Sequence, residues 1–363
     1  MNHRLLPRGL DWALLVIPLL LVAGGIATIY SITSTEANAP LALSQGIYAA
    51  IGVFLMIVLA FTDYRTFRAA APILYGVGLA LLLAVLFVGS IQFGARRWIE
   101  LGPFQLQPSE LMKFFTLVVV AWFFARRDEI KARDIVAALL FTLIPTLLVI
   151  RQPDFGTAFL LAAGTLPIFL LSRIRREQWL AIVLLVLISI PALFLALKPY
   201  QRERLESFLD PSRDPFGAGY NVLQSKIAIG SGGLTGRGLG QGSQSTLQFV
   251  PVAHTDFIFA GIAEATGFLG STALLVLFAV LVWRVLRLAA MTEDRFGKLL
   301  AAGCASLWLF SVFINVGMNL GVAPVTGIPL PFVSFGGSSL LTNFAVAGVL
   351  QSIHLRKKKI SFQ

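Results

Sequence analysis

Apolar residues occur along this chain in stretches of about twenty, each bounded by short polar or basic segments. Ten such stretches can be marked off: 11–31, 41–61, 69–89, 108–125, 134–150, 155–172, 178–197, 256–283, 298–321 and 332–354. Crossing a hydrocarbon layer about 30 Å thick takes about 20 helical residues. The pattern therefore predicts an all-α integral membrane protein with ten transmembrane helices. The first stretch is longer than the apolar core of a signal peptide and nine more follow, so it reads as a span.

Composition agrees with this reading. The 363 residues are 57% hydrophobic and only 13% charged, against roughly 25% charged in soluble domains. A soluble enzyme, a disordered chain and a disulfide scaffold are excluded. The one cysteine, Cys304, lies inside an apolar stretch and offers neither a disulfide nor a cysteine-based metal site.

The net charge of +11 would suggest nucleic acid in a soluble chain, but in a multispanning protein basic residues first report topology, and no nucleic-acid partner is expected. Arg4 and Arg8, Arg65 and Arg68, the run Arg126 to Arg133, Arg173 to Arg176, Arg284 to Lys298, and Arg356 to Lys359 fall on alternate connections, while 32–40 and 322–331 carry no Lys or Arg. By the positive-inside rule both termini are cytoplasmic. No internal repeat is evident, which is against an inverted-repeat transporter.

One connection stands apart. Residues 198–254, on the outer side between spans seven and eight, begin with the charged, amphipathic KPYQRERLESFLDPSRDP and continue into GSGGLTGRGLGQG. The first part suits a short helix on the membrane surface. The second, with Ile, Leu and Tyr among its glycines, suits an ordered, close-fitting loop. Its glycines could cradle a phosphate or serve tight packing alone. It lacks the ending of a P-loop, and ATP is absent outside, so no nucleotide is expected and any substrate must arrive already activated.

Unusual polar groups gather on the same side. Arg96 and Arg97 break the charge trend; Glu110 and Lys113 are one helical turn apart at the start of span four. An ionisable group within a span costs about 2.5–3.5 kcal/mol on insertion scales, which makes the pair a functional candidate, and a structural ion pair equally accounts for it. Asp154 and Asp256 open spans six and eight, where each is a candidate site residue or a helix cap. Glu264 follows Asp256 two turns deeper. His254 suits a hydrogen bond or a metal ligand. The proline-broken GIPLPFVSFGGSSLL, with Ser338, reads as a pocket wall, because irregular backbone at membrane depth is tolerated only against protein or a cavity.

Five runs, GARRWIELGPFQLQPSELMK, QPDFGTA, GYNVLQSKIAIGSGGLTGRGLGQGSQ, HTDFIFA and PLPFVSFGGSSLL, occur in order over nearly the whole chain. In them the sequence resembles the SEDS family (shape, elongation, division and sporulation), and QSKIAIGSGG and PLPFVS are more similar to its rod-shape branch than to its division branch. The resemblance implies a peptidoglycan glycosyltransferase. It would polymerise lipid II on the outer face of the cytoplasmic membrane during cell elongation, alongside a class B penicillin-binding protein and the elongation machinery. The aspartate of the HTDF motif, which the family needs for polymerisation, falls on Asp256; the glutamate and lysine of QPSExxK fall on Glu110 and Lys113. Two carboxylates of the family pattern are absent: PExHTDF reads with Val252 and Ala253, and AEExG with Ala265.

The implied mechanism has Asp256 as base toward the acceptor hydroxyl, with inversion at the anomeric carbon and undecaprenyl diphosphate leaving. The diphosphate calls for positive charge, from a divalent cation such as Mg or Mn or from Arg96, Lys113, Arg202, Lys226 or Arg237. Two rivals are a lipid II flippase, for which intramembrane Glu110, Lys113 and Glu264 would form a polar path, and a non-catalytic scaffold for the penicillin-binding protein.

Overall fold

The structure is a computed structural model, and it describes residues 9–33, 40–92, 95–102, 104–195, 208, 217–247 and 249–356. The charged stretch 198–215 and Arg202 within it lie outside the described residues apart from Phe208. The helices are α1 (Trp12–Thr33), α2 (Pro40–Phe61), α3 (Arg65–Val88), α4 (Pro108–Ala125), α5 (Ala132–Arg151), α6 (Phe155–Leu171) and α7 (Arg176–Leu195). They continue as α8 (Ala218–Ser231), the single turn α9 (Ser243–Thr246), α10 (Ile258–Met291), α11 (Arg295–Leu320) and α12 (Gly337–Arg356). Seven of these, α1 to α5 with α10 and α11, are long and apolar enough to cross a membrane.

A small sheet amends the all-α expectation. Strands β1 (Ser90–Gln92), β2 (Ala95–Leu101) and β3 (Phe104–Leu106) pair antiparallel in that order between α3 and α4. Three-residue strands are too short for an alternating pattern to be read along a chain. The second half of the large connection is also more regular than a loop, since it contains α8, packed on α10 and α11.

Helices α4 and α11 form the centre, buried on almost every face. Around them α2, α3 and α5 turn apolar side chains outward: Leu43, Ile47, Ile51 and Phe54 on α2 are all at least half exposed. That inversion suits lipid, where an apolar exterior costs nothing and helices associate through packing and small residues. At the α6–α11 crossing Gly164 and Gly303 face each other, and the Ser306 hydroxyl donates to the Ala163 carbonyl at 2.8 Å. Caps end these helices: Asp294 accepts from Gly297 N–H at 2.9 Å to start α11, and Gly321 in the left-handed region stops it.

Candidate functional site

Helix α10 breaks at Gly267, whose φ of 67° and ψ of −162° are not helical. A break frees backbone groups that a straight helix would pair. Here the glycine-rich loop takes them up: the N–H groups of Phe268 and Leu269 donate to the carbonyls of Gly233 and Leu234, at 2.8 and 3.1 Å. The carbonyls of Glu264 and Ala265 accept from Arg237 and Gly238 N–H, both at 3.0 Å. A side chain at Gly236 would collide with the Ala265 carbonyl. The loop is thus a wedge fitted into a broken helix, and at these positions its backbone is spent on protein rather than offered to a phosphate.

Glu264, fully buried, belongs to the same joint. Its carboxylate accepts from Gln244 N–H (2.8 Å), Ser245 N–H (2.8 Å) and the Ser245 hydroxyl (2.6 Å), so it caps α9 from another element. A carboxylate engaged three times in holding a loop is poorly suited to a transmembrane polar path. Arg237 is exposed and bonds within the loop, to the Ser231 carbonyl at 3.1 Å and the Ser243 hydroxyl at 3.4 Å.

Asp256 does not begin the helix. Helix α10 starts at Ile258, with Phe257 in the capping position and no side-chain cap, so Asp256 lies in the turn ahead of it. Three successive carbonyls fix that turn. The His254 carbonyl accepts from Phe335 N–H (3.0 Å) and the Thr255 carbonyl from the Ser334 hydroxyl (2.7 Å). The Asp256 carbonyl accepts from the side-chain amides of Asn315 (3.0 Å) and Asn319 (3.1 Å). Gln45, buried in α2, holds the opposite side of the same wall, donating to the Ser334 carbonyl at 3.0 Å and accepting from Gly336 N–H at 3.3 Å. The His254 ring meets Phe335 edge-on at 5.8 Å. The Asp256 carboxylate, half-buried, lies against Gly327 on a backbone held by these bonds.

A second corner adjoins it. Asp154 caps α6, accepting from Thr157 N–H (3.1 Å) and the Thr157 hydroxyl (2.9 Å), with the Gln107 amide at 3.4 Å. The Ser338 hydroxyl accepts from Gln107 N–H (2.9 Å) and donates to the Gln105 carbonyl (2.6 Å), so it ties β3 to α12. One turn on, Glu110 and Lys113 form a buried ion pair at 2.7 Å, with Glu110 Oε2 left without a hydrogen-bond partner among the described residues. A buried unsatisfied acceptor costs about 1–3 kcal/mol.

The segment Ser334–Ser338 therefore joins the Asp256 turn to the Asp154 corner. Arg96 is not part of that joint: it is exposed, with one long contact to the Leu86 carbonyl at 3.4 Å. Its neighbour Arg97 reaches the carbonyls of Gln152 and Pro153. Lys226, exposed on α8, packs beside Gly321 at the end of α11. Gln45, Gln107, Asn315 and Asn319 are residues that the sequence pattern does not mark as site candidates. The asparagines had a signal, being amides four residues apart in an apolar helix.

A metal fits poorly. Among the described residues no three His, Cys, Asp or Glu side chains converge, and the family's two extra carboxylates are Val252 and Ala265 here.

A family model described as Cell cycle protein, covering FtsW, RodA and SpoVE, matches residues 9–359. The peptidoglycan glycosyltransferase MrdB of Escherichia coli (strain K12) is 43% identical over 316 residues, 86% of this chain and 85% of that one. Stage V sporulation protein E of Bacillus subtilis (strain 168) is 36% identical over 354 residues, 94% and 96% of the two chains. Among solved structures, a chain of a peptidoglycan synthase complex that coordinates polymerization and crosslinking superposes with a TM-score of 0.82 at 34% identity, covering 95% of this chain and 97% of that one. The rod shape determining protein RodA of Thermus thermophilus superposes with a TM-score of 0.72 at 30% identity, covering 95% and 96%.

Proposed function

Since this chain belongs to the FtsW, RodA and SpoVE family of cell cycle proteins and is a peptidoglycan glycosyltransferase, we propose that Asp256 is its catalytic base and lipid II its substrate. The observation that carries this is the Asp256 turn, with three consecutive carbonyls pinned by α11 and the approach to α12. In this reading the carboxylate takes the proton of the acceptor sugar's hydroxyl as that oxygen attacks the anomeric carbon of the donor. The bond to the diphosphate breaks on the opposite face, giving inversion and releasing undecaprenyl diphosphate. Such base assistance is worth roughly 10²–10⁴-fold.

The diphosphate is met by this chain's own cations. Lys226 and Arg237 are exposed, whereas the Lys113 charge is largely taken by Glu110.

The chain crosses the membrane ten times with both termini inside, so the Asp256 end faces out, where the lipid-linked sugar protrudes. The basic connections and the ten apolar stretches support this. Labelling of Thr235→Cys by an impermeant thiol reagent in intact cells, without labelling of Glu129→Cys, tests it; the native Cys304 is buried and does not interfere. A class B penicillin-binding protein is the proposed partner, supported by the likeness to a synthase complex chain.

Purified protein in liposomes with lipid II tests the whole reading. Glycan polymer that increases with the partner, even when the partner's transpeptidase serine is removed, is the expected result. Transbilayer movement without polymer would make it a flippase, and neither activity would make it a scaffold.

A further inference from the structure

At the other end of the bundle, far in sequence from the Asp256 turn, α4 and α5 flank an open cavity of about 470 Å³ lined by Trp122, Phe123, Arg126, Arg127 and Phe141. We propose that it holds the phosphate head of an anionic phospholipid of the inner leaflet.

The lining is two guanidinium groups on an aromatic floor. Arg126 lies over the Trp122 ring at 5.0 Å and Arg127 over the Phe123 ring at 3.5 Å; Phe123 and Phe141 meet edge-on at 5.4 Å. The two cations differ in what remains to them. Arg127 is committed, paired with Asp134 at 2.8 Å and donating to the Phe123 carbonyl at 2.8 Å. Arg126 is exposed, and among the described residues no carboxylate lies within ion-pairing distance of it. One positive charge is thus left facing the cavity, stacked so that its planar fork is already oriented for two phosphate oxygens.

The rest of the ligand follows from α5. Val136, Leu140, Leu143 and Leu147 are each about half exposed, and their spacing puts them in one stripe running away from the basic rim. Ile144, also exposed, lies one helical turn from both Leu140 and Phe141 and so links the stripe to the cavity wall. An acyl chain lying on that stripe brings its headgroup to Arg126. Tryptophan beside arginine at such a depth is the composition of a membrane interface, and the cavity wall is anchored, since the Tyr75 hydroxyl donates to the Phe141 carbonyl at 3.1 Å. A soluble anion would use the guanidinium but not the stripe. The inner-leaflet assignment rests on the orientation proposed above, which thiol labelling tests separately; binding as such does not depend on the polymerase reading.

Native mass spectrometry of the delipidated full-length protein distinguishes these cases, with phosphatidylglycerol, phosphatidylcholine of the same chains and glycerol phosphate as probes. Wild type should retain phosphatidylglycerol in preference to phosphatidylcholine and should not retain glycerol phosphate. Arg126→Gln should weaken retention about fivefold, as expected for one basic residue at a lipid surface, with Arg126→Lys recovering part of it and neither changing the melting temperature. Trp122→Leu, which removes the stacking platform, should weaken it too. Equal retention of the two lipids by wild type, or wild-type retention by Arg126→Gln, overturns the proposal. Binding of glycerol phosphate as tight as that of the lipid would mark a soluble-anion site and overturn it as well.

Discussion

Gly327 lies against Asp256: a Cβ on Gly327 would sit 3.4 Å from the Oδ2 of that carboxylate. The glycine also has a φ of 73°, and its neighbours Thr326 and Ile328 pack on Gly156 at the start of α6. The irregular segment that carries it thus separates the Asp256 turn from the Asp154 cap. Gly327→Ala adds both a methyl group at the carboxylate and strain in a left-handed backbone. Polymerisation should fall about tenfold or more while membrane insertion is retained. Wild-type turnover with this variant would show that the space beside Asp256 is not used.

Asn315 tests whether the pinned backbone matters to turnover. Its amide donates to the Asp256 carbonyl at 3.0 Å and to the Ile328 carbonyl at 2.8 Å, so it connects the turn to the segment that carries Gly327. In Asn315→Ala the carboxylate and the bond from Asn319 remain, but the link from the turn to Ile328 is lost. Misplacement of a reacting group by about 1 Å can cost about 10²-fold, and the expected signature is a fall in kcat with KM for lipid II nearly constant. A proportional fall in folded protein, with kcat per folded molecule unchanged, would reduce Asn315 to a packing residue.

Glu264→Gln probes the joint between α10 and the glycine-rich loop. The substitution places an amide NH₂ among the Gln244 and Ser245 donors that the carboxylate now satisfies. Charge-assisted bonds contribute roughly 1.5–3 kcal/mol, so hydrogen exchange over residues 232–247 should accelerate and the melting temperature drop. Unchanged exchange there would mean that the wedge of loop backbone at Gly267 holds without its cap.

The two neighbouring arginines should separate cleanly. Arg97 supports the turn before α6 through the Gln152 and Pro153 carbonyls, while Arg96 is exposed. Arg97→Ala should lower the melting temperature measurably; Arg96→Ala should change stability by no more than about 0.5 kcal/mol. The reverse order would place the anchor on the wrong residue.

Much of this architecture was legible because lipid imposes a simple rule on sequence, so apolar stretches and flanking arginines mark helices and their boundaries. Asp154 was legible as a cap from its place after Pro153, and Glu110 with Lys113 from their spacing. Asp256 was mislocated by two residues, since a carboxylate ahead of an apolar run looks like a cap whether the helix starts there or at Ile258. The role of Glu264 could not be read at all. Its partners at Gln244 and Ser245 come from another element, and only the break at Gly267 brings the loop to them. The same holds for Gln45 and Ser334, joined across most of the chain. Local patterns report helices; they do not report which backbone groups a broken helix leaves open for another segment.

Asp256→Asn carries the functional claim. The side chain is not a helix cap, because Phe257 holds that position and α10 starts without a side-chain cap. Its main chain is held by the carbonyl bonds from Asn315 and Asn319, and these survive the substitution. Asparagine fills the same space beside Gly327 and removes only the negative charge and the capacity to take a proton. Insertion, melting temperature and partner binding should therefore match wild type, while polymerisation should fall by the roughly 10²–10⁴-fold that a general base supplies. Chain length of any residual polymer should be measured alongside rate, since loss of the base slows each transfer without altering how the growing strand is held. An asparagine variant that polymerises lipid II near the wild-type rate would show that the reaction takes its base from elsewhere, and the pinned turn would then be a structural corner of the bundle.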